Sequence, residues 1–399
     1  MKNVLFVIET LRGGGAERSL SNIVTHFPDG WHIDILVNDD SLVEYPYKGN
    51  ILSLSSPEKC SKVYFIKNVI KRTLFLRKLK RSNKYDVCVS FLEGPNISNV
   101  LSGKKYCRTI ISIRNQIMPK CSGIYSKIGD FFLTTLFFPN ADAIVAVSEE
   151  IAMQLVCQHR ISEHKICAIV NGYDYEWIRG KMINCPQKGE IDKKLINSGK
   201  RLVVTVGRIV EQKGQWHLIR AFSDVVRREP NAVLLIVGDG LLRGYLERLI
   251  RLYRLEGKVI LVGRSDNPFW YYANADVFVF PSLWEGYPNA LAEALCCGAP
   301  CIATDVHSGC REILAPDLEV MGERVSEITE KEYGILVPVC SGIMYRGCEM
   351  LEQEEQKMAD AIIMLLRDKE KRNYYREKSV ERSKKLDINT VVSQWIDIM

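Results

Sequence analysis

The sequence predicts an α/β protein of two doubly wound halves, and three observations carry that prediction. Short runs rich in β-branched and aromatic residues alternate with helix-length segments from Val4 to Val170. The same alternation resumes at Leu202 and continues to Val337. Between them the pattern stops, and Asn171-Gly172, Gly180, Pro186, Gly189 and Asn197-Ser198-Gly199 cluster among charges. At 399 residues the chain exceeds one hydrophobic core. Two domains are therefore expected, at 1–175 and 201–375, with a linker over 176–200 and a C-terminal segment over 376–399.

In the first half, strands are expected at Val4 to Ile8, Ile33 to Val37, Ile51 to Leu54, Val87 to Ser90, Thr109 to Ile113, Ala143 to Val147 and Ile166 to Val170. The first of these leads into Arg12-Gly13-Gly14-Gly15-Ala16-Glu17-Arg18 and an apolar-periodic segment, which makes a strand, a glycine loop and a helix. Consecutive glycines admit close approach of a ligand, and a helix start receives negative charge. Neither Walker nor dinucleotide spacing is met, so the loop also reads as a plain turn. In the second half, strands are expected at Leu202 to Val206, Val233 to Val237, Val259 to Val262, Val277 to Phe280, Pro300 to Ala303 and Gly334 to Val337. Strands separated by helices pair in parallel, and such sheets bind ligands beyond the carboxyl ends of their strands. A cleft between two of them is the expected active site.

Composition narrows the function. No run approaches the roughly 18 apolar residues of a membrane span. Met1-Lys2-Asn3 is followed only by Val4 to Ile8, shorter than the core of a signal peptide, so a cytoplasmic location is expected. The 13 cysteines include no CxxC pair, and Cys296, Cys297 and Cys301 lack zinc-ligand spacing. They read as reduced thiols, mostly buried, and the six histidines form no metal motif. Between Lys59 and Lys84 stand ten Lys or Arg and no acid, interleaved with Val63, Ile66, Ile70 and Leu74 at helical spacing. That stretch suits an anionic membrane surface. Phe65, Phe75, Leu76 and Leu79 fall off the stripe, however, which leaves a solvated face with a buried side as the alternative. Nucleic acid is disfavoured, because the aromatics follow no binding-module pattern.

The chemistry centres on Glu285-Gly286-Tyr287-Pro288-Asn289-Ala290-Leu291-Ala292-Glu293. Gly286 and Pro288 break regular structure, and good helix formers resume at Ala290. A helix starting near Asn289 would offer backbone N–H groups from Asn289, Ala290 and Leu291 to an anion, with Glu285 and Glu293 bracketing the pocket. Two carboxylates beside a phosphate site suit a polyol phosphate such as a nucleotide sugar, although a capped helix with solvated acids gives the same pattern. Arg208, after the strand Leu202 to Val206, and Lys213 on the next turn would neutralise a diphosphate leaving group. Gly238-Asp239-Gly240 superficially resembles a dinucleotide turn, but Gly244 comes one residue late and no suitable acid follows, which disfavours NAD.

These motifs together resemble the GT-B retaining glycosyltransferases of family 4. The likeness rests on the Gly13 to Arg18 loop, Val147-Ser148, Asn171-Gly172-Tyr173-Asp174, Gly207-Arg208 with Lys213-Gly214, Gly238-Asp239-Gly240 and Pro281-Ser282-Leu283-Trp284-Glu285-Gly286, and it covers nearly the whole chain. It implies a GT-B fold, with two Rossmann-like domains facing across a cleft and the last helix, carrying Trp395, crossing back to the first. It implies catalytic roles for Arg208 and Lys213 on the diphosphate and Glu285 on the sugar hydroxyls. Glu293 would take the ribose hydroxyls. Gly207, Gly286, Asn289, Ala290 and Leu291 would complete the donor site, Arg264 would border the base through its backbone, and Gly14 and Gly15 would close on the diphosphate. No cofactor or metal is implied. Acceptor-side candidates are Glu17, Glu93, Asn96, Arg114 and Asn115, and the pair Arg114-Asn115 stands where many relatives carry His-Asp. Arginine is no general base at neutral pH, but it can hold a hydroxyl or a phosphate.

The expected activity is transfer of a hexose or N-acetylhexosamine from a nucleotide diphosphate sugar, UDP-linked, to a lipid-linked or polysaccharide acceptor of bacterial-type surface glycan synthesis. The expected site of action is the inner face of the plasma membrane. Two rivals remain: a nucleotide-sugar epimerase sharing the fold, and a non-catalytic membrane-surface binding protein.

Overall fold

A computed structural model describes residues 2–41, 43–56, 62–82, 84–115, 137–186, 199–307 and 309–399. The chain forms two compact units, Met1–Gly172 with Leu386–Met399, and Tyr173–Lys385.

The first unit runs β1 (Lys2–Val7), α1 (Gly15–Thr25), β2 (Trp31–Val37), β3 (Asn50–Ser53), α2 (Lys62–Arg81), β4 (Val87–Phe91), α3 (Glu93–Leu101), β5 (Arg108–Ile113), β6 (Ala143–Ala146), α4 (Glu149–Cys157) and β7 (Ile166–Ala168). Its sheet has the order β3-β2-β1-β4-β5-β6-β7, and every pairing is parallel. The central strands are buried on both faces, which is why they read as continuous apolar runs. Side-chain caps set helix starts where the sequence offers them. Ser148 accepts from the Ile151 amide at α4, and such a cap contributes about 1 kcal/mol.

The second unit runs α5 (Tyr175–Met182), β8 (Arg201–Val206), α6 (Gln215–Arg228), β9 (Ala232–Val237), α7 (Arg243–Leu252), β10 (Val259–Gly263), α8 (Pro268–Ala273), β11 (Val277–Phe280), α9 (Asn289–Cys296), β12 (Cys301–Thr304), α10 (Cys310–Leu314), β13 (Thr329–Lys331), β14 (Gly334–Val337), α11 (Gln353–Arg367) and α12 (Lys369–Ser383). Its sheet order, β10-β9-β8-β11-β12-β14-β13, repeats the doubly wound plan. Only β13 is antiparallel, against β14. Among the described strands, this charged edge strand is the one the periodicity does not announce.

Two boundaries move. Tyr175–Met182, which starts at the expected end of the first domain and runs into the expected linker, is a helix capped by Asp174. Trp177 packs edge-on against Phe269, and Asn267 Nδ2 donates to the carbonyls of Lys181 and Asn184, so this segment is built into the second unit. Residues 187–198 of that linker lie outside the described residues. The C-terminal segment is two helices rather than one. Within α12, Ser379 donates to the Ala299 carbonyl and Arg376 to that of Ala275, so α12 belongs to the second unit. Only α13 (Ile388–Asp397) joins the first unit, where Ile388, Val391, Val392 and Trp395 enter the core and Trp395 stacks on Phe91 at 5.6 Å.

Candidate active site

The sheet order of the second unit reverses between β8 and β11, and the expected donor residues stand at the carboxyl ends of those two strands. After β8, a tight turn over Glu211–Lys213 ends at Gly214, which has φ +57. A Cβ there would lie 2.3 Å from the Pro281 carbonyl oxygen, so only glycine lets this turn sit flush on the end of β11. The Leu283 amide donates to the Gln212 carbonyl across the junction at 2.8 Å.

That docking joins side chains far apart in sequence. Lys213 Nζ donates to Glu285 Oε1 at 2.6 Å, with 17% and 6% of the two side chains exposed. Gln212 Nε2 donates to Glu285 Oε2 at 3.2 Å and to the Trp284 carbonyl at 3.0 Å. Lys213 also stands 5.1 Å over the Phe280 ring. Arg208 is exposed, and among the described residues no carboxylate lies within ion-pair range of it. Lys213 is thus neutralised by a carboxylate, whereas Arg208 is exposed after β8.

Gly207 is packed from the neighbouring loop. A Cβ on Gly238 would lie 1.9 Å from the Gly207 carbonyl oxygen, which explains the Gly238-Asp239-Gly240 run as a close approach of two strand ends rather than a dinucleotide turn. Helix α9 begins at Asn289, with Pro288 as an N-cap that offers no side-chain bond. The amides of Asn289 and Leu291 donate to the carbonyls of Tyr287 and Pro288 inside the turn, at 3.0 and 2.9 Å. The three-amide cradle expected from Asn289, Ala290 and Leu291 is therefore already spent at two of its members. Asn289 Oδ1 accepts from the Tyr173 hydroxyl at 2.6 Å. Glu293 is buried one turn into the helix and accepts from the Tyr272 hydroxyl at 3.2 Å. Gly286 is buried in the loop, and Arg264 is exposed at the end of β10, beyond β9 from the pair.

Sequence reasoning missed Gln212 and Tyr272, which donate to Glu285 and Glu293. Gln212 sits beside Lys213 and was within reach of a motif reading. Tyr272 is hidden in the aromatic run Phe269 to Tyr272, which reads only as core.

In the first unit, Gly14 precedes α1, and the Glu17 carboxylate folds onto it so closely that a Cβ at Gly14 would lie 1.8 Å from Oε2. An acid thus already occupies the helix start expected to meet a diphosphate at Gly14 and Gly15. Glu93 is exposed at the first position of α3, and Leu92 before it holds φ +76 and ψ 163, a conformation almost confined to glycine. Two acceptor-side candidates are buried. Asn96 is buried, accepting from Ser90 Oγ and donating to the Ser112 carbonyl, both at 2.8 Å, so it ties β4 to β5. Arg114 is buried too, with its guanidinium 4.6 Å from the Phe91 ring centroid, 5.9 Å from that of Trp395, and donating to Asn171 Oδ1 at 2.8 Å. It stabilises the seat of α13. Asn115 beside it is exposed.

Helix α2 buries residues off the Val63, Ile66, Ile70 and Leu74 stripe and leaves the stripe itself outward. Leu76, Phe75 and Leu79 pack inward, and Lys80, fully buried, donates to the carbonyls of Asn99 and Gly103 and to Thr109 Oγ1, each at 3.0 Å. Arg72 is buried as well. Val63, Ile66, Ile70 and Leu74 point outward, each more than half exposed, among exposed Lys67, Lys71, Lys78 and Arg81. Lys59 lies outside the described residues. No described helix is long and apolar enough to cross a membrane.

One His/Cys/Glu cluster occurs among the described residues, at His217, Cys340 and Glu352. It does not fit a metal, because both imidazole nitrogens are committed. Nε2 accepts from the Gly342 amide at 3.1 Å, which places the ring proton on Nδ1, 2.7 Å from Glu355 Oε1.

The family model of glycosyl transferases group 1 matches residues 187–323, and that of Glycosyltransferase Family 4 matches residues 13–177. The chain is 31% identical over 341 residues to the uncharacterized glycosyltransferase MJ1059 of Methanocaldococcus jannaschii, covering 82% of each. It is 28% identical, over 97% of its length and 96% of the relative's, to the N-acetylgalactosamine-N,N'-diacetylbacillosaminyl-diphospho-undecaprenol 4-alpha-N-acetylgalactosaminyltransferase of Campylobacter jejuni. In fold it matches HepE of Anabaena, solved with UDP and glucose, at a TM-score of 0.73 and 18% identity, over 100% of this chain and 99% of that one. The chain belongs to the family 4-type glycosyltransferases of GT-B fold.

Proposed function

We propose that this glycosyltransferase moves a hexose or N-acetylhexosamine, with retention, from a UDP-linked sugar to a lipid-linked or polysaccharide acceptor at the inner face of the membrane. The observation that carries the donor half is the Lys213–Glu285 pair at the β8/β11 switch point, where the exposed Arg208 follows β8. An incoming diphosphate competes with Glu285 for Lys213. As the lysine turns to the phosphate oxygens, the carboxylate is freed to accept hydroxyls of the donor sugar, so binding and sugar recognition are coupled. Lys213 and Arg208 then stabilise the charge that develops on the leaving diphosphate, without a divalent ion. Attack comes from the face the diphosphate leaves, and a departing phosphate oxygen takes the acceptor's proton. Glu293, steadied by Tyr272, takes the ribose. The Campylobacter relative's diphospho-undecaprenol substrate and the UDP bound to the Anabaena protein support the choice of acceptor and donor.

The membrane half rests on α2, whose outward apolar stripe and flanking cations suit shallow insertion among anionic headgroups. Turnover with UDP-, GDP- and ADP-sugars, in EDTA, on a polyprenyl-diphosphate-linked N-acetylhexosamine tests the donor. The reading requires turnover with a UDP-sugar, and its absence across all UDP-sugars refutes it. Co-sedimentation with phosphatidylglycerol vesicles tests α2. Binding that survives both the double substitution of Ile66 and Ile70 by Glu and neutralisation of Lys67, Lys71, Lys78 and Arg81 ends the membrane reading.

A further inference from the structure

The first sheet has its own switch point, between β1 and β4, and a compact group of side chains meets there that the donor chemistry does not use. Glu9 follows β1, Phe65 and Arg72 come from α2, and all three converge on the backbone of Gly94 in the first turn of α3. A Cβ on Gly94 would lie 2.6 Å from Glu9 Oε1, 3.2 Å from Arg72 NH1 and 3.2 Å from Phe65 Cε2. The Glu9 side chain is 29% exposed and Phe65 is 43% exposed, whereas Arg72 beneath them is 1% exposed.

We propose that Glu9 and Phe65 form a sugar-binding subsite for the acceptor over Gly94, with Arg72 as the positioning residue that holds the carboxylate. A partly exposed carboxylate beside a partly exposed aromatic ring is the pairing a pyranose recognises. The carboxylate accepts its hydroxyls, and the ring covers its C–H face. The same acid repels phosphate, so the group selects the glycan part of an acceptor and not its diphosphate.

Arg72 is arranged to fix this geometry. Its NH2 donates to Asn38 Oδ1 at 2.6 Å and stands 3.8 Å from Glu9 Oε1, and NH1 reaches Ser98 Oγ at 3.5 Å. Nε has no hydrogen-bond partner among the described residues. Burial pulls the guanidinium down to about 10, and Glu9 opposes that fall, so Arg72 remains a cation beside Glu9 at neutral pH. Phe65 lies off the exposed stripe of Val63, Ile66, Ile70 and Leu74 but on the same helix, which puts a sugar on Glu9 against the element that carries that stripe.

The inference rests on the glycosyltransferase reading, and its test separates the two. With a UDP-sugar donor and a farnesyl-diphosphate-linked N-acetylhexosamine as acceptor, Glu9→Gln raises the acceptor KM about tenfold, the worth of one hydrogen bond to a charged group, and leaves UDP affinity unchanged. Phe65→Ala gives a comparable rise that Phe65→Tyr reverses. Arg72→Lys raises the acceptor KM in the wild-type background and adds nothing to Glu9→Gln, because its effect passes through that carboxylate. An unchanged acceptor KM in Glu9→Gln overturns the subsite, as does a parallel loss of UDP affinity. If wild-type protein transfers nothing to the lipid probe, the proposed function fails instead. Saturation-transfer NMR with methyl N-acetylglucosaminide then reads the subsite directly: signal lost in Glu9→Gln supports it, and signal retained overturns it.

Discussion

Removing Lys213 tests the proposed donor site most instructively, because that lysine would serve both stability and turnover. At 2.6 Å and an effective dielectric near 20, its gross attraction to Glu285 is about 6 kcal/mol, most of it offset by desolvation. Deleting one partner does not recover that desolvation. Lys213→Ala leaves the Glu285 carboxylate, 6% exposed, with Gln212 as its remaining side-chain donor among the described residues, a loss of about 3 kcal/mol by precedent for buried pairs. For a unit of this size that lowers the melting temperature by roughly 10 °C. Turnover should fall by about 10²–10³, the usual cost of removing one preorganised charge from a leaving group. The two losses are separable. In the double variant Lys213→Met with Glu285→Gln the pair is neutral, so calorimetry should show most of the melting temperature restored while turnover stays low. Recovery of turnover together with stability would mean that Lys213 is a structural lysine, and near-normal turnover in Lys213→Ala would refute its leaving-group role outright.

Three further outcomes follow from particular contacts. Tyr272→Phe removes the hydroxyl from Glu293 and should weaken UDP binding about fivefold by calorimetry while Glu285-dependent sugar discrimination is kept; unchanged affinity would detach Glu293 from the nucleotide. Asn96→Ala should cost about 1–3 kcal/mol of stability in denaturant melts, by orphaning the Ser112 carbonyl, without changing acceptor KM; a rise in KM would return Asn96 to the acceptor site. Asp34 gives a pH dependence. Burial alone would raise its pKa, but hydrogen bonds from Tyr85, Asn50 and Lys84 prevail and hold it at about 2, below the ordinary 3.8. Its contribution is thus complete above pH 4 and is lost as pH falls toward 2, so thermal melts of Asp34→Asn should fall less steeply than wild type across that window; parallel slopes would contradict the assignment.

Much of this molecule is legible in sequence because parallel strands are buried on both faces. Val277–Phe280 and Gly334–Val337 have the bounds their apolar runs suggest, whereas Thr329–Lys331, a polar edge strand, offers no such run. The candidate donor residues Arg208, Lys213 and Glu285 were picked out one by one because they follow strand ends. Their pairing was not, because 72 residues separate Lys213 from Glu285 and only the sheet order brings them together. Helix α2 shows a different limit. It carries apolar residues on two faces, so periodicity cannot say which is buried, and the choice falls to Lys80 and Arg72, whose long stems reach acceptors in the core. Arg114 is equally ambiguous. A cation packed against Phe91 and Trp395 looks, in sequence, like one waiting for a phosphate.

The central claim is transfer with retention from a UDP-sugar to a lipid-linked glycan, and an NMR time course of UDP-α-sugar with a polyprenyl-diphosphate-linked N-acetylhexosamine tests it most directly. The account predicts UDP released in step with a new α-anomeric signal on the acceptor. A β-anomeric product, or an epimerised UDP-sugar with the acceptor unconsumed, would contradict it.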